Sequence, residues 1–307
     1  MSKLMKYLLV AFGVAWIIGG IGCYDSNIGN MAGRMSFNNS LALCMFVPML
    51  AALFAKADIK GMGWNPKLGK NWKYIVFAWL APTIFQIIGA ALFFMVFPED
   101  FSPYEAFQRF MPDDEFEEFQ RNGSHYAAFI LNDIFDSLTS SHLLTATILA
   151  LGEEIGWRGF MYPELKAGYG RTKGLIIGGV IHGAWHFPVM LMVGYEYGKD
   201  YIGAPLFGLV VFCLYTVSMG IISDFLYMRS GTIWLSALFH AMINAEASPR
   251  MLLGNDHPER SVLGPVDVGL IAAIPMVTCA AFLLWYQYKQ EQAELEETFG
   301  SLNSNEM

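Results

Sequence analysis

Three hydrophobic stretches of the chain contain polar and ionisable residues at spacings that place them on common helix faces. They are Glu153, Glu154 and Arg158 in the first stretch, His182 and His186 in the second, and His240 and Asn244 in the third. A charge near the centre of a bilayer costs at least about 2.5–3.5 kcal/mol, so it persists only where it is paired or used. A carboxylate with a histidine can deprotonate a water, and a second histidine with an amide can donate hydrogen bonds to the oxyanion of a tetrahedral intermediate. The residue types therefore fit hydrolysis of an amide bond.

Helical geometry separates the two acids of the first stretch. Glu154 and Arg158 are four residues apart, where side chains on a helix meet, so we expect an ion pair. Glu153 is rotated by about 100° from Glu154, and it needs a partner from another helix. The alternative is that both acids are ordinary charges at a cytoplasmic helix end. Three glycines argue against this alternative, because small residues at this spacing let membrane helices approach closely. They are Gly152, Gly156 and Gly159.

The other two stretches each space two polar side chains by one helical turn. A histidine pair at this spacing suits a metal or a proton relay, although one buried histidine bonded to a backbone carbonyl is a commoner arrangement. We take His186 as the functional histidine and His182 as supporting, with a kink at Pro188 just beyond them. Asn244 has the alternative of an ordinary hydrogen bond between helices, and Ser236, one turn before His240, leaves a Ser/His dyad open.

The composition indicates a membrane protein. The chain has 307 residues, 55% hydrophobic and 15% charged, and its apolar residues come in unbroken runs. Crossing a bilayer takes roughly 20 helical residues, and eight runs are long enough. They lie at about 7–23, 38–56, 73–97, 140–162, 173–195, 204–228, 231–249 and 266–288. We predict an all-α, polytopic fold with about eight transmembrane helices in a single domain, 1–288, followed by a polar acidic tail, 289–307.

A secretory signal is the alternative for the first run, which follows Lys3 and Lys6 and ends at Cys23. We expect a membrane span instead, because Gly20 is a poor cleavage-site residue and seven further runs follow. The cysteines are dispersed in apolar segments without a CxxC spacing, so we expect packing residues, with no disulfide and no cysteine-bound metal. They are Cys23, Cys44, Cys213 and Cys279.

Basic residues in short loops mark the cytoplasmic side. Five lysines lie between residues 56 and 73 and three basic residues between 166 and 173, whereas the loop 98–138 carries ten acids against Arg109 and Arg121. The pattern predicts cytoplasmic termini and an extracytoplasmic acidic loop, either an amphipathic helix on the outer surface or a solvated insertion. We expect a multi-pass protein in the plasma membrane of a prokaryote, with no nucleic-acid partner.

Depth along the predicted helices brings the candidate residues together. Counted from the ends of their runs, Glu153, His186 and His240 fall within roughly one helical turn of a common height. That height is in the middle to cytoplasmic half of the bilayer. We therefore expect one buried site that opens towards the cytoplasm.

Three motifs in this order resemble the CPBP family, the CAAX prenyl endopeptidases (CAAX prenyl protease 2) and bacteriocin-processing or immunity-type, Abi-like membrane proteins. The motifs are Glu-Glu-x-x-x-Arg at 153–158, Trp-His-Phe-Pro at 185–188 and His-x-x-x-Asn at 240–244, within a core of about 140–250. The resemblance implies an intramembrane peptidase of glutamate or metallo type that acts on a membrane-associated peptide or lipidated protein in the bilayer.

The resemblance also implies a role for each residue. Glu153 and His186 activate the attacking water, while His240 and Asn244 stabilise the oxyanion. Glu154 pairs with Arg158 to stabilise the helix. The chain departs from the family at His182, where phenylalanine is usual. An imidazole there could add a metal ligand, alter a pKa or fill space.

The cofactor and the function class both have alternatives. An HExxH motif is absent, and tetrahedral zinc would have to gather Glu153, His186 and His240 from three helices. Zinc and a metal-free glutamate mechanism are equally compatible with these residues. The rival function is an ion or proton transporter that uses the same Glu/His cluster, or a non-catalytic immunity or scaffold protein. A cavity around Glu153 that opens on one side only would favour the enzyme over the transporter.

Overall fold

The computed structural model describes residues 1–27, 29–123, 125–245, 249–254 and 257–305. These residues form helices and turns without a sheet, and a single isolated bridge pairs Phe101 with Leu253. The predicted all-α fold is therefore confirmed. It follows from apolar runs that are much longer than a β-strand, which typically has 3–10 residues.

Fourteen α-helices are present in the described part of the chain. They are α1 (Lys3–Ser26), α2 (Met31–Cys44), α3 (Val47–Phe54), α4 (Leu68–Val96), α5 (Pro103–Phe110), α6 (Asp113–Arg121), α7 (Tyr126–Thr139), α8 (Ser141–Gly156), α9 (Tyr162–Tyr169), α10 (Arg171–Trp185), α11 (Phe187–Val193), α12 (Leu206–Ser230), α13 (Ile233–Asn244) and α14 (Ile274–Asn305).

Five helical units within the described residues are long and apolar enough to cross a membrane: α1, α2 with α3, α4, α10 with α11, and α12. A sixth is present if α7 and the segment 142–169, bent by 56°, count as one span. The predicted run 231–249 is represented by α13, whose 12 residues extend about 18 Å at ~1.5 Å per residue. Residues 246–248 of that run lie outside the described part. The count of eight and the side of the termini remain predictions.

Loops gather at two ends of the bundle. At the first end, Trp234 Nε1 donates to the Trp64 carbonyl (2.9 Å) and Asn71 donates to the Ser230 carbonyl (3.1 Å). We call this the lysine-rich end, and it comprises residues 55–73, 164–173 and 229–232. The contacts show that these segments, which the charge pattern assigns to one side of the membrane, are neighbours in space.

The opposite end carries most of the acidic residues. Arg260 donates to Glu99 (2.7 Å) and Asp100 (3.0 Å), and Arg250 contacts Glu196 across two other loops (3.5 Å). We call this the acidic end, and it comprises the described residues of the segments 27–34, 97–125, 194–205 and 249–265. The two ends are joined by the candidate spans, as alternating loop charges predict.

The acidic segment 98–138 contains the three helices α5, α6 and α7. Phe107 is fully buried among Phe119, Tyr126 and Phe129, with ring centroids 5.0–5.4 Å away. The last of its helices, α7, returns along the bundle, because Trp79 near the middle of α4 donates to the Leu138 carbonyl (3.0 Å). The C-terminal part of this segment therefore lies beside a candidate span, and the predicted extracytoplasmic position of the whole segment stays a prediction.

Candidate active site

The helix that carries the two acids changes its winding at the site. After α8 ends at Gly156, residues 157–161 form a π-helical turn, an insertion that is frequent at functional sites. A Cβ added to Gly156 would lie 2.4 Å from Pro48 Cβ, and one added to Gly152 would lie 2.8 Å from the Met45 carbonyl oxygen. The close approach predicted from these glycines is therefore present, and the partners are the connection between α2 and α3 at Met45 and the first turn of α3 at Pro48.

Glu154 and Arg158 form the predicted ion pair. Arg158 Nη1 lies 2.8 Å from Glu154 Oε1, and both side chains are fully buried. His240 Nδ1 lies 2.8 Å from the same oxygen. Because the carboxylate accepts, Nδ1 of His240 donates, and its Nε2 is directed elsewhere. The guanidinium of Arg158 also lies 4.9 Å from the centre of the Tyr162 ring.

Glu153 is buried and has partners from three directions. Trp157 Nε1 donates to Glu153 Oε2 (2.9 Å), and His182 Nε2 lies 3.2 Å from that oxygen. His240 Nε2 lies 4.0 Å from the other oxygen, Oε1. The convergence predicted from depth is therefore present. The histidine in direct contact with this carboxylate is His182, which the sequence placed in a supporting role.

His186 lies where helix α10 breaks. Its backbone amide donates to the carbonyl of Gly183, three residues earlier (3.0 Å). In a regular α-helix the acceptor would be the carbonyl of His182, four residues earlier. The His182 carbonyl is thereby left to accept from His186 Nδ1, 3.2 Å away. Since a carbonyl only accepts, Nδ1 carries the hydrogen and a neutral ring presents Nε2 as a base. The break coincides with Pro188 in the first turn of α11, as predicted.

These side chains line a cavity of about 660 Å³, within the usual ~300–1,000 Å³ of ligand sites. Glu153, His182, His186 and His240 all face it, and Asn244 lies on its wall with an exposed side chain. All four predicted catalytic residues thus border one space. The arrangement places a carboxylate, imidazoles and an amide around a volume that can accommodate a peptide segment.

A tetrahedral zinc does not fit the side chains as they are arranged. Zinc at about 2.0–2.2 Å from each ligand requires its donor atoms to lie within ~4 Å of one another. Among the described residues, one group of three His, Cys, Asp or Glu side chains has its ligand atoms within 4.8 Å of one another. It consists of Glu99, Asp100 and His257 at the acidic end. Glu153, His186 and His240 offer suitable donor types, but their ligand atoms do not converge to that distance.

Sequence reasoning missed two neighbours of the site. Trp157 is four residues after Glu153, so the spacing that identified Glu154 and Arg158 would also have found it. Tyr7 on α1 is fully buried with its ring 5.9 Å from that of Trp157. Its hydroxyl has no hydrogen-bond partner among the described residues. No local pattern pointed to Tyr7, because its contacts arise from tertiary packing.

The structure also gives the positions of Ser236 and the four cysteines. Ser236 is buried and its hydroxyl donates to the Ser223 carbonyl (2.9 Å), so it is bonded to the backbone of α12. Cys23 and Cys44 are buried in helices, and Cys213 and Cys279 are half-buried. Their positions agree with the predicted packing role.

Comparison with known proteins supports the motif resemblance. Residues 136–245 match the family described as type II CAAX prenyl endopeptidase, Rce1-like. A segment of 103 residues is 32% identical to CAAX prenyl protease 2 of Methanococcus maripaludis, and it covers 33% of this chain and 36% of that protein. The chain thus matches about a third of its curated relative. The matched segment contains all four predicted catalytic residues, Glu153, His186, His240 and Asn244.

Proposed function

We propose that this protein is a CAAX-type intramembrane endopeptidase that hydrolyses a peptide bond in a membrane-associated peptide or protein. The observation that carries the proposal is the buried carboxylate of Glu153. It lies 3.2 Å from His182 and 4.0 Å from His240, and it faces the cavity. A buried acid with imidazoles from two other helices is an arrangement suited to moving a proton.

In the proposed reaction, Glu153 accepts a proton from a water in the cavity. The hydroxide oxygen forms a bond to the carbonyl carbon of the substrate, and the carbonyl π electrons move to its oxygen. His240 and Asn244 donate hydrogen bonds to that oxyanion, in the manner of oxyanion-stabilising side chains. With Nδ1 donating to Glu154, His240 carries hydrogen on both ring nitrogens when it also donates from Nε2. At this stage Glu154 and the oxyanion together balance the charges of Arg158 and of the His240 ring.

Collapse of the tetrahedral intermediate breaks the carbon–nitrogen bond. The leaving nitrogen takes the proton that Glu153 received, and His186 transfers it through the Nε2 atom that its Nδ1 bond leaves unprotonated. The products are a new carboxyl terminus and a free amine. Glu154 and Arg158 act as positioning residues, because they fix the His240 ring.

The lining residues of the cavity extend from Glu153 to the acidic end, as expected for an enzyme site. A transporter with alternating access would open to one side at a time, and the cleavage assay distinguishes it from an enzyme. A catalytically silent immunity or scaffold protein is separated from an enzyme by a cleavage assay.

We propose further that the reaction is metal-independent. The carboxylate and imidazoles are already bonded to Trp157, Glu154 and a backbone carbonyl, and their donor atoms are too dispersed for zinc. In the competing account, the same residues bind zinc, and a chelator would then remove activity.

The experiment is a cleavage assay on purified protein with a fluorogenic membrane-proximal peptide, combined with metal analysis. We expect cleavage, less than one bound zinc per chain, and the same rate after a chelator. Stoichiometric zinc with activity that a chelator removes and zinc restores would overturn the metal-free mechanism. If the folded protein cleaves no peptide in a diverse library of prenylated and unmodified peptides, the result would favour a non-catalytic immunity or scaffold protein.

A further inference from the structure

Three side chains of metal-ligand type lie together at the acidic end, apart from the candidate active site. Glu99 and Asp100 belong to the short 3₁₀ helix that follows α4, and His257 belongs to the loop between α13 and α14. One ligand atom of each lies within 4.8 Å of the other two. Two carboxylates and an imidazole form a donor set that suits zinc.

The Asp100 carboxylate is buried and only partly bonded. Its side chain is 3% exposed, and its Oδ1 accepts from Arg260 Nη1 at 3.0 Å. Its Oδ2 is also buried, and it has no hydrogen-bond partner among the described residues. Buried carboxylate oxygens are nearly always bonded to a donor or an ion, so this oxygen indicates a ligand.

The ring of His257 is oriented by a further carboxylate. Nδ1 lies 3.1 Å from Glu259 Oε1, and because a carboxylate accepts, Nδ1 carries the hydrogen and Nε2 of the neutral ring keeps a lone pair. A metal-bound histidine usually has such a carboxylate partner on its other nitrogen.

The distance between His257 and Asp100 fits a shared metal better than a direct bond. Nε2 lies 3.8 Å from Asp100 Oδ1, which is too long for a hydrogen bond. Two ligands of one tetrahedral zinc, each about 2.0–2.2 Å from the metal, are ~3.4 Å apart. A small movement of the ring is therefore sufficient to bring both atoms to one ion.

Arg260 neutralises the group only in part. Its Nη1 donates to Glu99 Oε1 (2.7 Å) as well as to Asp100, and its guanidinium lies 4.4 Å from the centre of the Phe97 ring. One guanidinium thus faces three carboxylates, because Glu259 approaches through His257. A divalent cation would balance the two negative charges that remain when the histidine is neutral.

The backbone holds the two segments together, and the side chains can close the remaining gap. The Gly254 amide donates to the Asp100 carbonyl (2.8 Å), next to the isolated bridge described above. The side chains of Glu99 and His257 are 51% and 34% exposed, so they have room to move by the ångström that a zinc requires. The buried groups around Glu153 lack this freedom.

We propose that Glu99, Asp100 and His257 bind one zinc ion, which joins the end of α4 to the loop after α13. The three side chains each supply one ligand atom, and the fourth position is left to water. Ligands that are partly open to solvent make the binding reversible, so dialysis removes the ion and added zinc restores it. The site is independent of the proposed endopeptidase reaction, and it agrees with less than one zinc per chain in purified protein.

Zinc titration of the dialysed full-length protein in detergent tests the site. We expect the wild type to bind one zinc per chain, with an unfolding temperature that rises on addition of zinc but not of magnesium. His257→Gln should lose the saturable binding and the thermal shift. His125→Gln, which changes an exposed histidine outside the group, is the matched control and should behave as the wild type. No saturable zinc binding by the wild type, or equal affinity in His257→Gln, would overturn the proposal.

Two further variants test the location and the geometry of the ion. Glu259→Ala keeps all three ligands but removes the partner of Nδ1, so we expect zinc affinity to fall by about 10–100-fold. Unchanged affinity in Glu259→Ala would contradict the proposed orientation of the ring. Glu153→Gln should bind zinc with wild-type affinity, and loss of binding in this variant would place the ion at the candidate active site instead.

Discussion

Glu153 and Glu154 are adjacent in the chain, but their surroundings assign them different tasks. Glu154 Oε1 is shared by Arg158 and His240 at 2.8 Å each, so this carboxylate is neutralised and orients a histidine. Glu153 is bonded to the indole of Trp157 and to His182, and it faces the cavity. The rotation of about 100° between successive residues of a helix separates the acid that pairs with Arg158 from the acid that faces the cavity.

Arg158→Ala should lower the amount of folded protein as well as activity. Removal of one partner of a buried ion pair leaves an unpaired charge and costs about 3–5 kcal/mol. We expect lower protein levels and a lower unfolding temperature in detergent, whereas Lys199→Ala at an exposed position leaves both unchanged. Normal levels and stability of Arg158→Ala would contradict a structural role for the pair.

His182→Phe and His186→Phe should differ in severity. His182 contributes one of two hydrogen bonds to Glu153 Oε2, and Trp157 supplies the other. Loss of one hydrogen bond to a charged group costs about 1.5 kcal/mol, or roughly tenfold in kcat/KM. Loss of the proton transfer assigned to His186 costs about 10²–10⁴-fold. Equal kcat/KM values for the two variants would contradict this division.

Only some of the contacts between individual site residues could be predicted from the sequence. The i,i+4 spacing was sufficient for Glu154 with Arg158, since both partners lie on one helix. It could not assign a partner to Glu153, because His182 and His240 come from helices distant in sequence. The family resemblance assigned water activation to His186, whereas the histidine that contacts the Glu153 carboxylate is His182.

At the scale of elements, glycines and irregular turns position the site. Gly156 permits contact with Pro48, the π-helical turn follows it directly, and α10 breaks at His186. The sequence predicted the close approach and the kink because glycine spacing and proline have local signatures. A π-helical turn has no such signature, so the change of winding at 157–161 could be found only in the structure.

Gly156→Ala should destabilise the protein. The new Cβ would lie 2.4–2.6 Å from three atoms of Pro48, two of them backbone, so the helices must separate. Overpacking of this kind costs about 1–3 kcal/mol. Gly168→Ala on α9, where no atom lies within 4 Å of the added Cβ, is the matched control and should be neutral or slightly stabilising. Equal unfolding temperatures for the two variants would exclude this role for Gly156.

At the scale of the molecule, the site is completed by a helix outside the matched family segment. Trp185 donates to the Ala11 carbonyl (3.0 Å), Trp16 donates to the Trp185 carbonyl (3.1 Å), and Tyr7 covers Trp157. The N-terminal helix α1 therefore contributes to the candidate site, although it lies outside the core predicted at about 140–250. Contacts between segments so far apart in sequence leave no local pattern.

The length of the apolar runs predicted the helical fold, and loop charge predicted which loops share an end of the bundle. The extent of the cavity was not predictable from depth alone. Depth brought Glu153, His186 and His240 to a common height, but the residues that line the cavity around them come from segments distant in sequence. Tertiary contacts arrange those segments.

The most direct test of the central claim is the cleavage rate of Glu153→Gln. The amide oxygen can still accept from Trp157 Nε1, and the side chain keeps its length, but it cannot take a proton from water. We predict a loss of about 10²–10⁴-fold or more in kcat, with an unchanged unfolding temperature. Cleavage by Glu153→Gln at the wild-type rate would contradict the claim that this carboxylate activates the attacking water.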